Sequence, residues 1–375
     1  MATLILSAAM FAGWGCGVPS ISERLLSYHE QIAEALSEPR PLGKPDASQT
    51  RLPRRRVRGV DVESAEIGVM DFLSIQGCDL STHIGYRNGA LGKQMGPSRR
   101  LVYEISVLES SANCLKGIAP ERAQRLQALF DGKREMLPRF VWNAVWAHPE
   151  VERFLSFGPS ARLAGDQVSD VAALDQARHL VGSGIETERD AEELEIVLAS
   201  LRDEAAAGPD FQQMHQLAYH LSGVARLLSK SSAATCTPTG RRLAGVFVDV
   251  YLPIQIQVAT WDERARVRVE ALGALYEATR YRMQGQAPQA MERHAGKYWD
   301  ADAPDGLWRE YREALRVHAL AWESTLRACG VLPSAERPVN RTSLPDPREP
   351  GSEVSLSSRS SALAITGWWG GWTGW

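Results

Sequence analysis

From Glu63 to Pro333 the apolar residues of this chain recur at three- and four-residue intervals almost without a break. That spacing is the mark of helices that each bury one face. After Pro97, Leu101, Ile105 and Leu108 form a stripe, and after Pro120, Leu126, Leu129 and Phe130 form another. Each proline falls in a first turn, where its missing N–H leaves no hydrogen bond unmade. Thr187 is placed to cap a helix with Asp190 three residues on, its buried face running through Leu194, Val197, Leu198, Leu201 and Ala205, and Gly208-Pro209 is expected to end it. Further stripes run through Met214, Leu217, Leu221, Val224 and Leu228, and through Trp308, Tyr311, Leu315, His318, Trp322 and Leu326. Arg241 to Arg282 is helical by pattern, with a break or kink expected at Pro253. Within it only GVFVDVYLPIQIQVAT (245–260) is ambiguous between helix and strand. No repeat of fixed period is present. The expected fold is all-α: a multi-helix domain over residues 63–333.

Residues 1–15 form a signal-like segment. The run from Ala2 to Trp14 carries no charge and is shorter than the roughly 20 residues that span a bilayer. Gly15-Cys16 follows, a small residue before a cysteine that could carry lipid. Residues 16–62 hold an N-terminal helix and then a Pro/Arg-rich linker. The helix places Leu25, Tyr28, Ile32 and Leu36 inward, with Ser20 or Ser22 as cap. The linker's Arg51, Arg54, Arg55, Arg56 and Arg58 read as a solvated basic segment, with anionic lipid head groups as the other candidate partner. Residues 334–375 read as a disordered tail, polar at first and ending ALAITGWWGGWTGW. Four of the eleven tryptophans fall in its last eight residues. Tryptophan suits membrane interfaces, but composition favours aberrant translation past the natural end or a lineage-specific extension. Acidic residues outnumber basic ones, 45 to 42, so no nucleic-acid partner is expected.

The stretch LSIQGCDLSTHIGYRNGALGK (73–93) offers three kinds of chemistry. A phosphate loop needs a glycine five residues before its Gly-Lys and a hydroxyl residue after it, but Arg87 and Gln94 stand there. A cysteine nucleophile needs a base in reach, and five residues of helix turn His83 away from Cys78. A structural turn explains more: a helix ends near Cys78, Gly85 and Gly89 allow turns, and Pro97 starts the next helix. A bond from Cys78 to Cys114 would staple that hairpin and contribute about 3–4 kcal/mol in a chain-entropy model. If Cys16 takes lipid, Cys236 and Cys329 remain for a second bridge. The even count suits export, although three pairings of the four remaining cysteines stay open. The histidines are scattered without HExxH, His215 and His220 lie on different faces, and His318 sits on an apolar stripe. No metal or cofactor is expected.

Further residues carry a resemblance. Asp71-Phe72-Leu73, Gly77-Cys78, Arg87-Asn88, Leu91-Gly92-Lys93, Ser98, Arg100-Leu101, Tyr103-Glu104 and then Cys114 form one block. Tyr251…Ile254-Gln255 and Trp308…Tyr311…His318…Trp322…Cys329-Gly330, with Pro333, form later ones. Together they resemble the bacterial lipoprotein family catalogued as domain of unknown function 3080, over roughly residues 20–333. Gly89, Arg99 and the residues before Cys16 depart from its pattern. The resemblance implies a periplasm-facing lipoprotein of Gram-negative bacteria, lipidated at Cys16, and it brings no activity. Gly17 in place of an aspartate favours the outer membrane. The expected role is a non-enzymatic component that binds or scaffolds an unknown envelope protein or ligand. Two alternatives stand beside it. One is an envelope-acting enzyme whose site near the Cys78–Cys114 hairpin uses Arg87, Asn88, Tyr103 and Glu104. The other is a cytoplasmic helical protein.

Overall fold

In the computed structural model, residues 19–41, 51–62, 67–156, 168–201, 207–231 and 238–328 are described. Among them every regular element is helical. The helices are α1 (Ile21–Ala35), α2 (Arg55–Arg58), α3 (Val69–Ser74), α4 (Asp79–Asn88), α5 (Ala90–Lys93), α6 (Pro97–Cys114), α7 (Pro120–Trp146) and α8 (Pro149–Phe154). They continue with α9 (Val168–Ser183), α10 (Glu188–Ser200), α11 (Ala207–Ser231), α12 (Pro238–Val246), α13 (Leu252–Arg282), α14 (Gln289–Tyr298) and α15 (Leu307–Ala328). The all-α expectation therefore holds.

Local chemistry sets the helix starts. Ser20 and Glu23 form a reciprocal capping box on α1, and Thr187 and Asp190 form one on α10. Pro97 and Pro120 occupy first turns, as the sequence predicts. One boundary differs. Helix α10 ends at Ser200, short of Ala205, and Gly208-Pro209 lies in the first turn of α11 instead of stopping α10. Proline serves as well there as at a stop, because a first turn needs no N–H. Gly208 is required for a different reason: a Cβ on it would collide with the Ser156 carbonyl.

The ambiguous 245–260 segment is helix with a change of winding. A π-helical turn, Phe247–Tyr251, joins α12 to α13, and the Leu252 N–H bonds the Phe247 carbonyl. Pro253 follows directly, so the wider turn sits where a proline without an N–H would otherwise break the α-helical ladder.

Contacts give the bundle its directions. Ser22 meets Gln213 and His29 meets His220, so α1 and α11 run the same way. Tyr28 stacks on Tyr251 while Glu34 pairs with Arg242, so α1 runs against α12 and α13. Tyr311 lies on Trp261 and Trp322 on Phe247, so α15 also opposes them. Gly223 lets α11 approach α1 closely, since a Cβ there would strike the His29 ring. A second group of helices joins α13 through α7 and α9, with α6 packed on α7 and α10 on both α6 and α9. Trp142, Trp146, Tyr276 and Trp299 fill the space among α7, α13 and the end of α14.

The basic segment corrects an expectation. Arg51, Arg54, Arg55 and Arg56 are exposed, but Arg58 is 1% exposed. Its guanidinium donates to the Trp146 carbonyl at 2.5 Å, the Pro53 carbonyl at 2.8 Å and Glu152 at 2.5 Å. Trp142 Nε1 donates back to the Arg58 carbonyl, and Asn143 pairs both ways with the Val60 backbone. Residues 53–60 are thus docked on α7 and are not a solvated linker. Residues 42–50 lie outside the described residues.

One buried charge cluster ties three helices together. Arg268 of α13 meets Asp170 of α9 at 2.5 Å and also pairs with Asp210 of α11, which accepts the Trp261 indole N–H at 2.8 Å. All three charged residues are buried. Removing the cation would leave two carboxylates buried together. Arg268→Leu is therefore expected to cost about 3–5 kcal/mol in denaturant unfolding. Arg316→Ala, which breaks an exposed pair with Glu313, is expected to cost under about 1 kcal/mol.

Candidate functional site

The stretch singled out by sequence forms a stapled helical hairpin. Helix α3 ends at Ser74, and Gly77, at φ +91°, turns the chain in a conformation other residues resist. Cys78 then begins α4 and is bonded to Cys114 at the end of α6, with Cα atoms 5.8 Å apart and a sequence separation of 36. Beneath the bridge Ile75, Leu80, Val107, Leu108, Leu126 and Phe130 form a small core of their own. The expected Cys78–Cys114 staple is present, and Cys78 offers no thiolate. Gly85 is not at a turn, as expected, but inside α4.

Arg87-Asn88-Gly89-Ala90-Leu91-Gly92-Lys93 reverses the chain. The Arg87 guanidinium donates to the Gly92 carbonyl at 2.7 Å. A Cβ on Gly92 would collide with the Tyr86 carbonyl and the Arg87 backbone. The Arg and the second Gly therefore lock α5 back against α4, where a phosphate cradle would need open amides.

Three of the four candidate polar residues come together and Asn88 stands apart. Glu104 is fully buried and held between Arg100 at 2.5 Å and Lys133 at 2.6 Å. Arg100 also covers the rings of Tyr103 and Phe140, at 5.2 and 5.7 Å. The Tyr103 phenol is pushed up to about 12, by burial first and then by the Glu104 carboxylate, against the Arg100 and Arg87 guanidiniums. Arg87, Tyr103 and Glu104 thus share one electrostatic neighbourhood, while Asn88 is exposed at the end of α4. The sequence reading missed Arg100 and Lys133. Arg100 was visible as the i,i+4 partner of Glu104, whereas Lys133 comes from α7 and carries no local signal. Cys16, Cys236 and Cys329 lie outside the described residues.

A second polar cluster sits in the main core. Trp322 Nε1 donates to Tyr28 Oη at 2.6 Å, and Tyr28 Oη lies 2.8 Å from His318 Nε2. The indole can only donate, so Tyr28 Oη accepts from it, and one proton is shared between Tyr28 Oη and a neutral His318. Burial agrees, holding the His318 imidazole down to about 3. Nearby, His29 and His220 face each other through Nδ1 atoms 3.2 Å apart. Burial, then the Arg226 charge, holds His29 down to about 4. Among the described residues no three His, Cys, Asp or Glu side chains are grouped to hold a metal ion.

A groove of about 300 Å³ opens beside this cluster, lined by Pro19, Glu23, Arg24 and Ser27 of the N-terminal region and by Asp249, Val250, Pro253 and Ile254. None of the hairpin's candidate residues lines it.

The family described as "Protein of unknown function (DUF3080)" matches residues 25–333. The chain belongs to the DUF3080 family. No curated protein and no solved structure matches it. The match takes in both structural clusters of this DUF3080 chain, from Tyr28 through the Cys78–Cys114 hairpin to Trp322.

Replacing both Cys78 and Cys114 by serine is expected to cost about 3–4 kcal/mol in denaturant unfolding, the chain-entropy value for a loop of this length. The oxidised wild-type should unfold at higher denaturant than the reduced one. The histidines set an acid limit. With His318 near 3 folded and about 6.5 unfolded, the unfolded chain takes a proton that the folded one refuses. Stability should be complete above about pH 6.5 and fall as the pH drops toward about 3, at about 1.4 kcal/mol per unit for this group. Thermal melts of His318→Gln between those limits should show a shallower dependence.

Proposed function

We propose that this protein is an envelope lipoprotein, held through a lipid at Cys16, whose helical domain faces the periplasm and binds or scaffolds another envelope component. The observation that carries this reading is the Cys78–Cys114 bridge. Disulfides persist in oxidising compartments, and the periplasm is one. The bridge also does structural work there, since the small core below it is separate from the main one. A second support is the short distance in sequence from Cys16 to the first described turn at Ile21, which would hold the body close to an anchor.

Binding is favoured over catalysis by how the hairpin spends its polar groups. Glu104 is neutralised on both sides by Arg100 and Lys133, and Arg87 is committed to the Gly92 carbonyl. Groups so engaged hold a turn; a general acid or base needs a partner that it can release to substrate. Gly17 favours the outer membrane within this reading, and a Cys236–Cys329 bridge belongs to it as well.

The test is the intact mass of the protein extracted from its native membrane fraction, alkylated with and without reduction. A chain starting at Cys16 with two or three acyl groups, whose other cysteines react only after reduction, is expected. An unprocessed chain with all five thiols free would overturn both the anchor and the compartment.

A further inference from the structure

One helical surface is apolar on the side that faces away from the core. Helices α12 and α13 and the π-turn between them form a continuous helix, Thr239–Arg282, that is apolar and long enough by composition to cross a membrane. Only 22% of its apolar stretch is buried, all of it on one side. Leu243, Tyr251, Ile254, Val258 and Trp261 are buried against the rest of the bundle. On the opposite face Val248 and Ile256 are 55% and 57% exposed, with Leu252 part-exposed and Pro253, Ala259 and one charged residue, Asp249, exposed beside them. A run of apolar side chains turned outward over several turns is unusual on a free surface. Beyond Ala259 the same face becomes polar and charged, through Thr260 and Glu263.

The N-terminal end of the described chain indicates what covers it. Pro19 lines the groove together with Val250, Pro253 and Ile254, so the chain enters the fold directly beside this face. Cys16 is three residues earlier, a link that can reach about 10 Å at full extension. A lipid on Cys16 would therefore enter its bilayer within about that distance of the groove. We propose that the outward face of residues 245–260 rests on the membrane surface, with Val248, Leu252 and Ile256 dipping into the acyl boundary while the inner face stays in the bundle. This rests on the lipoprotein reading above. Two or three acyl chains on Cys16 would hold the protein on the bilayer but leave its orientation free. The exposed face adds a contact that fixes which side of the bundle faces the periplasm.

The experiment uses the full chain, its Cys16 acylation read first by intact mass. It is placed on vesicles of phosphatidylethanolamine and phosphatidylglycerol doped with a diazirine-bearing phospholipid, and irradiated. Carbene adducts are mapped by peptide mass spectrometry. Adducts are expected within 245–260 and absent around Ile196, a 70% exposed isoleucine on α10. Val248→Lys with Ile256→Lys, checked for unchanged helicity, should lower the 245–260 adducts several-fold. An acylated chain without adducts in 245–260 overturns the face and leaves the anchor standing. An unacylated chain that still gives those adducts supports the face and removes the anchor. Two other covers would also overturn the proposal. One is protection of 245–260 in solution that vanishes when 334–375 is deleted. The other is a dimer dispersed by Ile256→Lys.

Discussion

Arg268 is the point on which the arrangement of the long helices depends. It lies on α13, and its two carboxylate partners come from α9 and α11, which are 98 and 58 residues away in sequence. Helices packed by apolar stripes alone can slide or rotate by a turn at modest cost, because one leucine ridge resembles the next. A guanidinium with fixed donor directions cannot follow such a slide without leaving buried carboxylates unpaired. Trp261 adds its indole N–H to Asp210 from two turns away on α13, tightening the same register. With α9 and α11 registered on α13, the other contacts fall into place. Tyr28 can reach both Trp322 and His318 only if α1, α11 and α15 keep their levels along α13.

The elements that were legible in the sequence are those whose cause is local. The capping boxes at Ser20 and Thr187 and the first-turn prolines at 97 and 120 act within four residues, so a short window contains both cause and effect. The Cys78–Cys114 staple was legible because the hairpin between the cysteines is itself local. Arg58 and Arg268 were not legible. An arginine in a Pro/Arg-rich stretch and an arginine in a helix both look solvated, and burial is decided by Glu152, Asp170 and Asp210, which lie far off in sequence. The candidate cluster was half legible for the same reason: Arg100 announces itself to Glu104 by spacing, and Lys133 does not.

The segment 245–260 failed to declare its structure for a physical reason. Periodicity reports secondary structure only when one face is apolar and the other polar. Here Tyr251, Ile254 and Val258 point to the core while Val248 and Ile256 point outward, so no face contrasts with another. The π-turn adds a residue to the winding ahead of Pro253 and blurs the period further. Apolar side chains on both sides of a helix leave no polar face to mark its period.

That reasoning joins the fold to the proposed role. If one side of 245–260 meets the bundle and the other meets lipid, the surfaces left for a partner are those away from Pro19. The Cys78–Cys114 hairpin has an apolar outer face of its own, where Val69, Met70, Leu73, Tyr86 and Leu91 are exposed. These side chains belong to α3, α4 and α5, and Phe72 of α3 with Leu80 and Ile84 of α4 rest on or in the small core beneath the disulfide. A covalent staple is well suited to such a piece, because six buried residues alone hold a hairpin weakly. The bridge then keeps an exposed apolar surface in one shape, which is what a binding element needs and what a buried core does not.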